Sequence, residues 1–87
     1  MAGTEKGKTP RQRLFGAHVR AWREDRAMSQ ETLGFKSGFD RSYIGALEAG
    51  WRNPSLETIC RLAKALRVDA ADLVEGTQAK RGRPGRR

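Results

Sequence analysis

Residues 29–50 read SQETLGFKSGFDRSYIGALEAG, and the fold turns on how that stretch divides. Ser29 suits a helix N-cap, because its hydroxyl accepts one of the orphan backbone N–H groups of a first turn. The spacing predicts a helix over 30–37 with Leu33 inward. Gly38 is the residue type that ends helices. Asp40 is placed to cap a further helix over 41–49, which Gly50 stops. There Ile44, Leu47 and Glu48 fall at i, i+3 and i+4 and form one inward face. Arg41, Ser42, Gly45, Ala46 and Ala49 lie on the opposite side.

Outward from this pair the punctuation repeats. Upstream, Phe15, Val19 and Trp22 make one apolar stripe on a helix over 11–26, with Trp22 in the core and Met28 plugging the turn. Downstream, WRNP (51–54) reads as a loop with Trp51 covering the domain edge. Ser55 caps a helix carrying Leu56, Ile59, Leu62, Ala63 and Leu66, with Cys60 a small buried member. Asp69 caps a last short helix over 70–75, closed by Gly76. No run alternates in the manner of a strand. The expectation is an all-α, five-helix domain over 11–76, with a flexible arm over 1–10 and a basic flexible tail over 77–87.

Length and charge bound what such a chain does. At 87 residues it holds one domain at most. No stretch approaches the ~20 apolar residues of a membrane span, and the first ten residues lack the apolar core of a secretory signal. The single cysteine rules out an internal disulfide. These features fit a cytoplasmic protein. The net charge is +8, of which residues 80–87 carry +5 and residues 1–11 carry +2. Basic ends attract polyanions through counterion release. There is no clustered Ser/His/Asp set, no metal-ligand spacing and no phosphate loop, so no enzyme, metal or cofactor is expected.

Two short helices joined by a Gly-containing turn are the ingredients of a DNA-binding helix-turn-helix. A recognition helix must enter the major groove deeply for its first turn to reach base edges. Gly45 and Ala46 remove bulk where its backbone would approach DNA; packing against a neighbouring helix is the other explanation for Gly45.

The pattern Ser29-Gln30-Glu31, Leu33, Gly38, Ile44, Leu47-Glu48, Gly50, Asn53-Pro54-Ser55-Leu56-Glu57-Thr58, Leu62-Ala63 and Leu66 resembles the lambda-repressor/Cro-like (XRE-like) helix-turn-helix family over about residues 14–75. Asp40-Arg41-Ser42-Tyr43-Ile44 followed by Arg52-Asn53 is similar to restriction–modification controller proteins. Two positions depart from the family: Gly34, where alanine is usual, and Ala49, where a basic or polar residue is common. The resemblance implies a transcription regulator that binds double-stranded DNA as a homodimer, a weak one without DNA, around Val68, Leu73 and Val74. It also implies that Arg23, late in the first helix, bridges Glu48.

Roles follow along this frame. Arg41, one step past the cap, has a fork that reaches guanine O6 and N7; a phosphate contact or surface ion pair is the plainer alternative. Ser42 and Ala46 complete the base-reading face. Tyr43 leans on the sugar–phosphate backbone or packs in the core. Gln30 holds a phosphate at a helix N-terminus. Arg52 and Asn53 take backbone and minor-groove positions, unless Asn53 only shapes the turn before Pro54. Arg81 and Arg83 belong to an AT-hook-like unit suited to the minor groove, to phosphates or to neither. Phe35 is an outward aromatic, for contact or for packing. His18 has no metal-spaced partner. The regulator is expected in the cytoplasm, associated with the nucleoid; competing functions are an antitoxin-type regulator with a protein partner and a non-specific DNA-binding protein.

Overall fold

A computed structural model describes residues 8–77. They form five helices: α1 (Pro10–Asp25), α2 (Gln30–Ser37), α3 (Arg41–Glu48), α4 (Leu56–Leu66) and α5 (Ala70–Val74). No strand occurs among the described residues. Caps set most of the starts. The Ser29 and Ser55 hydroxyls accept from the backbone N–H groups of Thr32 and Thr58 respectively, each a first-turn donor that has no partner within its helix.

Four ends differ from expectation by one residue; among them, α1 closes at Asp25 rather than 26. α1 starts at Pro10 rather than 11, because Thr9 and Gln12 form a reciprocal capping box ahead of a proline in the first turn. α3 ends at Glu48 and α5 at Val74, one short of the expected 49 and 75. Asp40 stands at the N-cap position of α3 with extended backbone, but its side chain makes no capping hydrogen bond.

The core is one cluster built from every helix: Phe15, Val19, Leu33, Ile44, Leu47, Leu62, Ala63, Leu66 and Leu73. Burying a Leu, Ile, Val or Phe side chain stabilises by about 1.5–3 kcal/mol, so this cluster outweighs any surface contact. The expected stripes supply it, with corrections. Trp22 only packs against its rim, half-buried. Leu56, in the first turn of α4, is 75% exposed. Cys60 is exposed, not buried; it lies about 200° around the helix from Leu62 at 100° per residue. Leu73 is fully buried in this domain's own core. It therefore cannot present a side chain to a second copy, whereas Val68 and Val74 are half-buried.

Two glycines on inner faces let backbones meet. A Cβ on Gly16 of α1 would lie 2.6 Å from the Glu48 carbonyl oxygen at the end of α3. A Cβ on Gly34 of α2 would lie 2.5 Å from the Phe39 carbonyl oxygen in the turn. Glycine at position 34 thus answers a close approach, although it lowers the helix propensity of α2. Side chains on α1 and just after it reach carbonyls at the end of α4 and beyond α5. Arg26 Nε donates to the Leu66 carbonyl at 2.8 Å, Arg11 Nε to Thr77 at 2.7 Å and His18 Nε2 to Glu75 at 2.9 Å.

The Gly16 contact generates a test. Gly16→Ala forces backbone apart at the α1–α3 crossing and should destabilise by about 1–3 kcal/mol, despite the better helix former. Thermal unfolding should show a Tm lower by roughly 4–8 °C per kcal/mol for a domain of this size; a Tm at or above wild type would contradict the crossing.

Candidate nucleic-acid interface

The inward half of α3 is fixed by ion-pair chemistry as well as by Ile44 and Leu47. Arg23 Nε lies 2.7 Å from Glu48 Oε2 and its Nη2 donates to Oε1 at 3.1 Å, a two-pronged pair. The third nitrogen, Nη1, donates to the Met28 carbonyl in the α1–α2 turn at 2.8 Å. Gln30 Nε2, at the start of α2, donates to Glu48 Oε1 at 3.1 Å. The Arg23 and Glu48 side chains are only 11% and 4% exposed. The hydrogen bond to Glu48 holds the guanidinium pKa above the usual arginine range, against the opposing effect of burial. Its contribution to stability is present below the ordinary arginine pKa and is lost only when pH climbs through the raised one. The guanidinium therefore stays charged across the neutral range.

With its inner face so occupied, α3 presents its other side outward. Arg41 and Ser42 are exposed at its N-terminal end, and Ala49 at the far end; Gly45 and Ala46 are half-buried between them. Among the described residues Arg41 enters no ion pair, the three pairs being Arg20–Glu24, Arg23–Glu48 and Arg26–Asp25. A Cβ on Gly45 would meet only the Gln30 side chain, at 3.6 Å or more. That is ordinary contact, so packing against α2 does not demand glycine there.

The structure brings several expected residues to this side. Tyr43 is half-buried, its ring centroid 5.0 Å from that of Phe39. The Arg52 guanidinium lies 5.9 Å from the Tyr43 ring, so the loop after α3 and α3 itself share one aromatic platform. Asn53, next in the loop, is exposed but lines a cleft with Arg11, Phe15 and Val74 rather than with Tyr43. Trp51 is 52% exposed; its backbone N–H donates to the Ala46 carbonyl at 2.9 Å, and Lys8 Nζ sits 4.6 Å from its ring. Gln30 behaves differently from expectation in one respect: its amide nitrogen points into the Glu48 network, leaving the backbone N–H groups of the α2 start as the outward donors. Phe35 is 87% exposed on α2. Arg81 and Arg83 lie outside the described residues.

One important side chain carried no signal in the sequence pattern. Arg61 of α4 donates from Nε to the Ser37 carbonyl at 3.1 Å and from Nη2 to that of Gly38 at 3.3 Å. Its guanidinium lies 4.5 Å from the Phe39 ring. It closes the end of α2 and braces the turn that aims α3. Its only sequence mark is a position beside Leu62 on α4, which most solvated arginines share. Among the described residues no group of three or more His, Cys, Asp or Glu could hold a metal ion, and no helix is long and apolar enough to cross a membrane.

The family model described as helix-turn-helix matches residues 19–73. Control protein C.BamHI of Bacillus amyloliquefaciens is 45% identical over 65 residues, which covers 74% of this chain and 80% of that protein. The crystal structure of the restriction-modification controller protein C.AhdI from Aeromonas hydrophila superposes with a TM-score of 0.70 at 47% identity, covering 71% of this chain and 94% of that one. The P22 c2 repressor, crystallised with a synthetic operator, superposes with a TM-score of 0.68 at 30% identity, covering 72% and 96%.

Removing one member of the buried pair isolates its role. Glu48→Ala leaves the Arg23 guanidinium without its counter-charge and should cost about 3–5 kcal/mol of folding stability. Urea denaturation followed by circular dichroism measures this; an unchanged midpoint would show that the pair does not hold α3.

Proposed function

The chain belongs to the helix-turn-helix family of DNA-binding transcriptional regulators, and from that premise we propose that it reads a duplex by seating α3 in the major groove. The observation that carries this reading is the exposed Arg41–Ser42 end of a helix whose opposite face is locked by Leu47 and the Arg23–Glu48 pair. A base-reading side chain needs a rigid platform, because a bidentate hydrogen bond to guanine tolerates little drift.

In this reading Arg41 contacts guanine O6 and N7, and Ser42 donates to a neighbouring base edge or phosphate. Ala46 and Gly45 allow the helix backbone to approach. The Tyr43–Arg52 platform and Asn53 lie against the sugar–phosphate backbone, and the N-terminus of α2 at Gln30 offers its N–H groups to a phosphate. The basic run with Arg81 and Arg83 adds minor-groove or phosphate contact. The protein works in the cytoplasm on the nucleoid, as a homodimer on two half-sites, with residues 11–76 as the DNA-binding domain between two basic arms.

Two substitutions test this. Selection from a random duplex pool first defines the preferred site. Arg41→Ala should then lose about 1–3 kcal/mol of discrimination at one base position, with folding unchanged. Equal affinity and equal sequence preference would remove the reading. Gly45→Ala should raise the stability of the free protein by up to about 1 kcal/mol, since the fold admits the methyl group, yet weaken operator binding. Tighter or unaltered binding would place Gly45 away from DNA.

A further inference from the structure

α2 packs between α3 and α4. On its α4 side, the C-terminal end of α2 and the later turns of α4 form a groove lined by Lys36, Ser37, Arg61, Lys64, Ala65 and Arg67. Residues 8–77 contain twelve Lys and Arg against nine Asp and Glu. Four of the twelve cations line this groove, and no carboxylate does. The remaining eight cations are fewer than the nine acids, so the positive excess of the described residues is concentrated here and not on α3.

Arg61 is partly committed to the Ser37 and Gly38 carbonyls. Lys36, Lys64 and Arg67 are exposed and enter no ion pair among the described residues. Like charges gathered in a concavity focus the potential toward a polyanion. We propose that this groove is a second phosphate-binding surface, which takes the backbone of a duplex segment other than the one held by α3. α2 stands between the two surfaces. Lys64 and Arg67 lie at the opposite end of α4 from the loop that carries Arg52 and Asn53. Ala65 is the single apolar residue in the lining. A folded protein partner would need apolar anchors there; a phosphate chain needs cations alone. The proposal rests on the α3 reading for the nature of its polyanion.

The experiment uses the full chain and two duplexes of unrelated random sequence, one immobilised and one fluorescent. Capture of the fluorescent duplex by the first reports bridging. Lys36→Ala, Lys64→Ala and Arg67→Ala are combined; Arg61 is kept because it braces the turn. All three changes are on exposed side chains, and an unchanged Tm confirms the fold. The triple variant should lose bridging at least tenfold. It should also show a log–log salt slope of duplex binding shallower by about 2–3, the release expected for up to three phosphate contacts. Arg41→Ala, run in parallel, should lose sequence preference and keep bridging. If Arg41→Ala leaves preference intact while the triple variant loses bridging, the α3 reading fails and the groove stands. Absence of bridging by wild type, or equal bridging and salt slope in the triple variant, would overturn the proposal. So would a triple variant that binds duplex as wild type does but no longer binds poly-glutamate, because the groove would then serve an acidic protein segment.

Discussion

The Arg23–Glu48 pair is the constraint on which the arrangement of helices depends. Two ions are withdrawn from water, which costs several kcal/mol each unless geometry and further hydrogen bonds compensate. Both conditions are met: the contact is two-pronged, and the remaining donors and acceptors reach the Met28 carbonyl and the Gln30 amide. The consequence is geometric. The Glu48 carboxylate ties the end of α3 to Arg23 of α1 and to the first residue of α2, and Arg23 in turn holds the Met28 carbonyl of the following turn. Rotation of α3 about its axis would leave a charge unpaired in the core, so the face carrying Arg41 has a defined direction.

The same solution recurs at lower stakes elsewhere. A domain of this size exposes many helix ends relative to its core, and the last carbonyls of each helix lack partners. Here guanidinium groups distant in sequence supply them: Arg61 of α4 closes α2, and Arg26, just after α1, closes α4. Each of these also rests on an aromatic ring, Phe39 and Trp22 respectively, at 4.5 and 5.0 Å. Arginine suits the task because its planar fork donates in several directions while its faces stack. Several of the described arginines are therefore spent on architecture. Among the described residues, the exposed cations outside ion pairs include Arg41 and Arg52 near α3, Arg13 on α1 and the Lys36–Lys64–Arg67 set beside α2. A formal net charge alone would not have separated these groups.

Much of the fold was legible in the order of residues. Ser29, Gly38, Gly50 and Ser55 act within a turn or two, so their effect is local and the helices between them could be placed within a residue. The Phe15–Val19, Ile44–Leu47 and Leu62–Leu66 spacings are properties of a single helix and predicted inward faces that the structure shares. Legibility failed where one helix meets another. Leu56 and Cys60 lie on the same helix as the core stripe, and periodicity could not say how far that stripe extends around it. Leu73 read as a possible contact for a second copy because nothing in its own helix reveals that α1 and α4 cover it. Gln30 read as an outward donor, although its amide is turned to Glu48.

By itself, then, the sequence determined five helices, their caps, the inward face of α3 and membership of a helix-turn-helix family, because each depends on neighbours a few residues apart or on a pattern of residue types. Tertiary structure alone decided that Gly16 must be small, that Arg61 guards the turn before α3, that Tyr43 and Arg52 share a platform and that three surface cations gather beside α2. These depend on groups up to tens of residues apart in the chain but a few ångströms apart in space. Only the packing of helices around the core establishes that distance.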